Sequence, residues 1–213
     1  MSFRVPDPPP TASLRPLLFT WERRRPLVRC HSIRFASIQF NPGMGIGRFH
    51  PLQDARGNFV PTLYAAEDLA GSLSETVFHS VPIRGPRKKV RRIVLKSLVV
   101  STLECDRDLR LAQLFGFGLG RLGVTRRELI EASRRQFPRT AAWARAIHDC
   151  DERIDGLIWV SRPNDSTRSL ILFGDRVPAP ALSSIGVPLP LKDGPGYDAV
   201  LEAADQAGIA LFD

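Results

Sequence analysis

The 213-residue chain predicts a mixed α+β fold, and three features of its apolar patterning carry that expectation. Short apolar runs at residues 60–65, 93–100, 156–161 and 169–173 have the length and composition of strands. Residues 66–81 and 125–147 instead repeat apolar side chains every three or four positions, the helical period. The two kinds of segment do not alternate regularly, so a doubly wound parallel sheet is not expected.

Taken in order, residues 1–13 hold four prolines and few apolar side chains, which predicts a disordered Pro-rich arm; residues 14–213 then form a single domain. Residues 14–29 read as a short helix or an irregular lead-in, and 30–40 have a strand-like rhythm around Ile33, Phe35 and Ile38. A loop follows at 41–54, with Gly43, Gly45 and Gly47 at alternating positions. In the helix over 66–81, Leu69, Leu73, Thr76 and Val77 form the apolar face, and Asp68, Ser72, Glu75 and His79 its polar flank. Pro82 ends it. A basic loop at 84–92 leads into the strand at 93–100, and 106–115 reads as a short helix capped by Asp106. Thr125 and Glu128 make a capping-box pattern for the longest helix, which Pro138 interrupts. The prolines between 178 and 195 predict irregular chain, and 197–207 a last helix closed by Gly208.

Composition narrows the functional classes. No apolar run reaches the roughly 18–20 residues that span a bilayer, and residues 1–13 lack the apolar core of a secretory signal. Cys30, Cys105 and Cys150 are odd in number and far apart, which favours reduced thiols and a cytoplasmic location. The net charge of +8 gathers in Arg23–Arg25, in 84–92, and in Arg134, Arg135, Arg139 and Arg145. Such runs suit nucleic acid, an acidic protein or phosphorylated ligands, so a basic nucleic-acid-binding or RNA-cleaving module is the alternative function. The runs lack the interleaved aromatics that stack bases.

The informative stretch is 45–79. Arg48 follows a glycine-rich turn, Tyr64 sits in an apolar run, and Glu75 comes eleven positions later on the helix. A guanidinium fork binds phosphate oxygens in pairs, an aromatic ring stacks on a base, and a carboxylate stabilises positive charge. The glycines are no dinucleotide fingerprint, because Pro51 disfavours the helix that motif must open. His148-Asp149-Cys150-Asp151-Glu152 is spaced too tightly to wrap a metal ion and reads as a polar loop. His50 and His79 flank the candidate site in supporting roles. Ser161 ends an apolar strand without the Gly-x-Ser-x-Gly surround of an esterase nucleophile.

Several motifs occur together in one order: Phe40-Asn-Pro-Gly, Gly47-Arg-Phe, Thr62-Leu-Tyr-Ala-Ala, Leu73-Ser-Glu-Thr-Val-Phe-His, Pro138-Arg-Thr with Trp143-Ala, and the segment 156–161. In this the chain resembles the RES-domain family. The resemblance implies an ADP-ribosyltransferase-like α+β fold, with two small facing sheets around an NAD cleft flanked by helices. It also implies a toxin of a type II toxin–antitoxin pair that consumes NAD+ by phosphorolysis or hydrolysis of the nicotinamide–ribose bond, or transfers ADP-ribose to a protein. Carried over by motif, Glu75, Arg48 and Tyr64 are catalytic; Arg48, Tyr64, Ser161 and Arg34 hold the dinucleotide. NAD+ is then the substrate, with no further cofactor and no metal. The implied partner is a cognate antitoxin, a helix-turn-helix DNA-binding protein, in a homo- or hetero-oligomer that reaches nucleic acid only through the antitoxin. Residues 53–59 read as an insertion at the cleft rim.

Overall fold

In a computed structural model the described residues are 4–82, 85 and 88–213; Arg84 and Arg87 of the basic run lie outside them. The strands are β1 (Leu18–Trp21), β2 (Leu27–Ser32), β3 (Thr62–Ala66), β4 (Lys89–Arg91), β5 (Leu98–Cys105), β6 (Leu109–Gln113), β7 (Gly156–Val160), β8 (Arg168–Phe173), β9 (Leu182–Pro190) and β10 (Ala210–Phe212). The helices are α1 (Leu69–Thr76), α2 (Phe117–Leu122), α3 (Arg126–Leu129), α4 (Phe137–Cys150) and α5 (Gly194–Gln206). The α+β class holds.

Eight strands form one ladder in the order β1-β6-β7-β8-β3-β2-β5-β9, and β10 pairs with β4 in parallel. The ladder has a weak joint. β3 and β8 pair over five residues and β2 and β5 over six, whereas β2 meets β3 at Val28 and Ala66 alone. The sheet therefore divides into a five-stranded and a three-stranded half. The two separate small sheets of the expectation are, in this chain, two halves bonded edge to edge.

Strand alternation sorts the larger half into two packed faces. Leu157, Trp159, Ile171 and Phe173 join one core with α2, α3 and α4, while Leu63, Ile158, Leu170 and Leu172 join a second with Trp21, Leu27 and Leu103. A third core lies beneath α1 and α5, around Leu73, Leu95, Val100 and Val200. Helix α1 is capped by Asp68, whose carboxylate accepts the Gly71 N–H at 2.7 Å. A Cβ on Gly71 would stand 2.7 Å from Thr167 Oγ1, so glycine is what lets α1 press close to β8.

Local patterning misjudged several segments. Residues 4–13 are not a loose arm: Val5 is wholly buried and Pro6 accepts a hydrogen bond from the Trp143 indole. Residues 14–29 hold β1 and the start of β2, because Trp21 and Leu27 are core side chains. Residues 92–97 form a 3-10 turn with Ile93 and Val94 exposed, and only then does β5 begin. The helix expected at 106–115 is strand β6. Leu109 and Leu111 are buried on either side of exposed Arg110, and ladders to β1 and β7 outweigh a weak helical tendency. The prolines after 178 do not prevent β9; it is an edge strand, where a missing N–H costs little. Pro138 opens α4 instead of breaking it, and the capping box of Thr125 and Glu128 is present at α3.

His148 closes α4 as a buried side chain, not in a polar loop. Its Nδ1 meets Asp149 and its Nε2 meets Asp175, each at 2.8 Å. Burial alone would lower its pKa, but the two carboxylates outweigh burial and raise it. A raised folded pKa means that this stabilisation is complete below the ordinary value of 6.5 and fades as pH rises through the folded value. We expect His148→Gln to lower unfolding free energy by about 2 kcal/mol at pH 5.5. The gap from wild type should narrow by pH 8.5 in urea titrations; a pH-independent gap would rule out the imidazolium.

Candidate active site

The loop after β2 supplies one wall of a cleft. Gly47 donates its N–H to the His50 carbonyl at 3.0 Å, closing a tight turn around Arg48 and Phe49. A Cβ on Gly47 would lie 2.1 Å from His50 Cε1, so only glycine leaves room for that imidazole. Phe49 is wholly buried, edge-on to Trp159 with ring centroids 5.1 Å apart. This anchor holds the turn against the sheet.

Tyr64 ties turn to strand. Its hydroxyl accepts the Phe49 N–H at 3.1 Å and lies 3.0 Å from His50 Nδ1. Burial pulls the His50 pKa down, which favours a neutral ring that accepts the phenol proton. Burial also pushes the Tyr64 phenol above its usual range, so it remains a neutral donor.

Arg48 is gripped at three points. Its guanidinium donates to the Ile130 carbonyl and lies 5.6 Å from the centre of the Phe137 ring, while Thr140 Oγ1 donates to its backbone carbonyl. Burial lowers the Arg48 pKa, and the charge of Glu75 acts in the opposite direction. On the opposite wall, the last turn of α1 presents Glu75. Its Oε1 accepts the Ser161 hydroxyl at 2.8 Å and the Arg162 N–H at 3.2 Å. Ser161 is itself fully buried, and Arg126 donates to its carbonyl at 3.0 Å.

These walls enclose a cavity of about 620 Å³ lined by Arg48, Tyr64 and Glu75 together with His50, Thr76 and Phe137. That is the size of a ligand site. Arg48, Tyr64 and Glu75, three of the five residues carried over by motif, therefore face one space, and Ser161 stands directly behind Glu75. Arg34 does not join them: it is exposed, off the cleft lining, and its backbone N–H meets Ser32 Oγ. The buried arginine of this region is Arg29, which donates to the Ser37 carbonyl at 2.5 Å and whose pKa burial pulls down to about 10.

Motifs missed Arg134 and Arg162, which line the cleft and form no ion pair among the described residues. They also missed Phe137, which sits 89 positions from the arginine it covers and leaves no local signal. Cys30 lines the cleft too, but burial pushes its thiol up to about 12, which leaves it protonated. Among the described residues no group of three or more His, Cys, Asp or Glu could hold a metal ion. No helix among them is long and apolar enough to cross a membrane.

The RES domain model matches residues 25–192, and the chain belongs to the RES-domain family. Among solved structures it is similar to a chain of the M. tuberculosis MbcT–MbcA toxin–antitoxin complex, with a TM-score of 0.57 at 14% identity. The match covers 80% of this chain and 86% of that one. At that identity the likeness speaks for the fold alone, and the expected α+β class stands. No curated protein matches the sequence.

Tyr64→Phe should leave the buried Phe49 N–H without its partner and destabilise the fold by about 1–3 kcal/mol. Chemical denaturation measures this directly, and an unchanged midpoint would remove Tyr64 as the link between turn and strand.

Proposed function

We propose that the cleft binds NAD+ and breaks its nicotinamide–ribose bond, and that the chain is the toxin of a toxin–antitoxin pair. One observation carries the reading: a glutamate held by Ser161 and Arg162 faces an arginine and a tyrosine across a single cavity. Membership of the RES family and the fold shared with a chain of a toxin–antitoxin complex support it.

The charges suit a dinucleotide. Among the described residues, Arg48, Arg134 and Arg162 line the cleft against the single carboxylate of Glu75, an excess of cation that favours a pyrophosphate. Loss of nicotinamide builds positive charge on the ribose, in an oxocarbenium-like state. A carboxylate near the ribose hydroxyls binds that charge more tightly in the transition state than in the ground state, where the ribose already carries less of it. Nicotinamide departs as a neutral ring, so no general acid is required. In this scheme Arg48 holds the phosphates and Tyr64 meets the nicotinamide end. Ser161 acts through Glu75, since its hydroxyl is already committed to that carboxylate. Phosphate, water and a protein side chain are the candidate acceptors. The proposed partner is an antitoxin of helix-turn-helix type that keeps the activity in check.

The test is nicotinamide release from NAD+ with and without phosphate. Glu75→Gln keeps volume and removes charge; it should cut turnover by roughly 100-fold or more while the fold persists. A folded Glu75→Gln protein with full activity would sink the assignment. Arg48→Lys keeps charge but loses the fork, and should weaken NAD+ binding by about tenfold, or about 1.4 kcal/mol. Equal affinity in titration calorimetry would show that Arg48 does not grip the pyrophosphate.

A further inference from the structure

The grip on Arg48 comes from a segment that is itself held from outside the family-matched region. Ile130, Phe137 and Thr140, its three partners, lie between α3 and the first turn of α4. Gln136, at the N-cap of α4, and Arg139 and Trp143, along its neighbouring face, all bond to the N-terminal segment. Gln136 Oε1 accepts the Val5 N–H at 3.3 Å. Arg139 donates to the Val5 carbonyl and to Asp7, each at 2.8 Å. The Trp143 indole donates to the Pro6 carbonyl, also at 2.8 Å.

Both ends of this segment are anchored in the core: Val5 is wholly buried and Leu14 nearly so, in the cluster that contains Ile130 and Trp143. Pro6, Pro8, Pro9 and Pro10 fix their own φ angles, so the chain between the anchors loses little entropy on ordering. The composition that suggests disorder in isolation makes a stiff strap once Val5 has a socket. The family match begins only at residue 25.

We propose that residues 4–14 are a brace that positions Arg48, with Val5 and Trp143 as its positioning residues. The strap fixes the first turn of α4, and that turn holds the Arg48 guanidinium and backbone. The inference rests on the reading that Arg48 binds the phosphates of the substrate. Loosening the brace therefore acts on substrate capture more than on the bond-breaking step.

The full chain with Val5→Asp, which places a carboxylate in a dry socket, should raise the KM for NAD+ about tenfold with a smaller change in kcat. Trp143→Phe, which keeps an aromatic side chain but removes the indole donor and some buried volume, should move KM the same way by a smaller factor, and Val5→Ile should behave as wild type. Pyrophosphate affinity, measured by calorimetry, should fall in step with the rise in KM. A merely destabilised protein would lose active fraction, lowering kcat with KM unchanged. If Val5→Asp does not fold, Trp143→Phe decides the matter. Wild-type KM and pyrophosphate affinity in the folded variants would overturn the brace and leave the NAD+ reading intact. If the wild type consumes no NAD+ but its pyrophosphate affinity drops in the variants, the brace stands and the NAD+ reading falls. A wild type that binds neither ligand overturns both.

Discussion

The hydrogen bond from Ser161 to Glu75 crosses from the end of β7 to the last turn of α1, and much of the architecture serves to bring its ends together. Helix α1 packs on β2, β3 and β8, the strands beside the joint where the two half-sheets share one pair of partners. Glycine at position 71 brings the helix down onto β8, and Leu73 locks it into the core beneath α5. With the helix so placed, Glu75 reaches a hydroxyl that is itself fully buried. A buried hydroxyl without an acceptor costs about 1–3 kcal/mol, so the carboxylate and the serine constrain each other.

The opposite wall is governed by the cost of holding a cation close to apolar groups. Arg48 has aromatic and carbonyl neighbours and lies in the field of Glu75, a combination that a mobile side chain on a bare loop would not keep. The loop is instead pinned at Phe49, whose ring is buried against Trp159, and at Tyr64, whose hydroxyl serves both Phe49 and His50. The aromatic and the cation picked out by motif are thus parts of one support. Tyr64 orders the turn that carries Arg48.

The ends of the chain strengthen both walls. The N-terminal strap binds α4, which covers Arg48, and α5 packs against α1, which carries Glu75. Strand β10 also pairs with β4 and brings Phe212 under Lys89, at 4.9 Å from the ring centre. Part of the basic run is thereby drawn into structure through cation–π contact, beyond its role as surface charge.

Local chemistry was enough to determine the elements whose pattern needs no distant partner. The spacing of Leu69, Leu73 and Val77 marks α1, although its cap, Asp68, falls inside the helical span that the pattern predicts; Thr125 and Glu128 mark a helix start, which belongs to the short α3; and the apolar runs at β3, β7 and β8 have no solvated alternative. Ordered motifs then singled out Arg48, Tyr64, Glu75 and Ser161, because a run of short signatures in a fixed order can be read in one dimension. Tertiary structure decided the rest. Residues 109–113, expected to be helical, became a strand because neighbours on both sides offered backbone partners, and 4–14 became a strap because α4 offered a socket for Val5. Arg34, plausible by position, was left in solvent, whereas Arg162 entered the site through a backbone bond to a residue 87 positions away. Contacts of that span depend on where the whole chain folds back, and no local period or spacing encodes them.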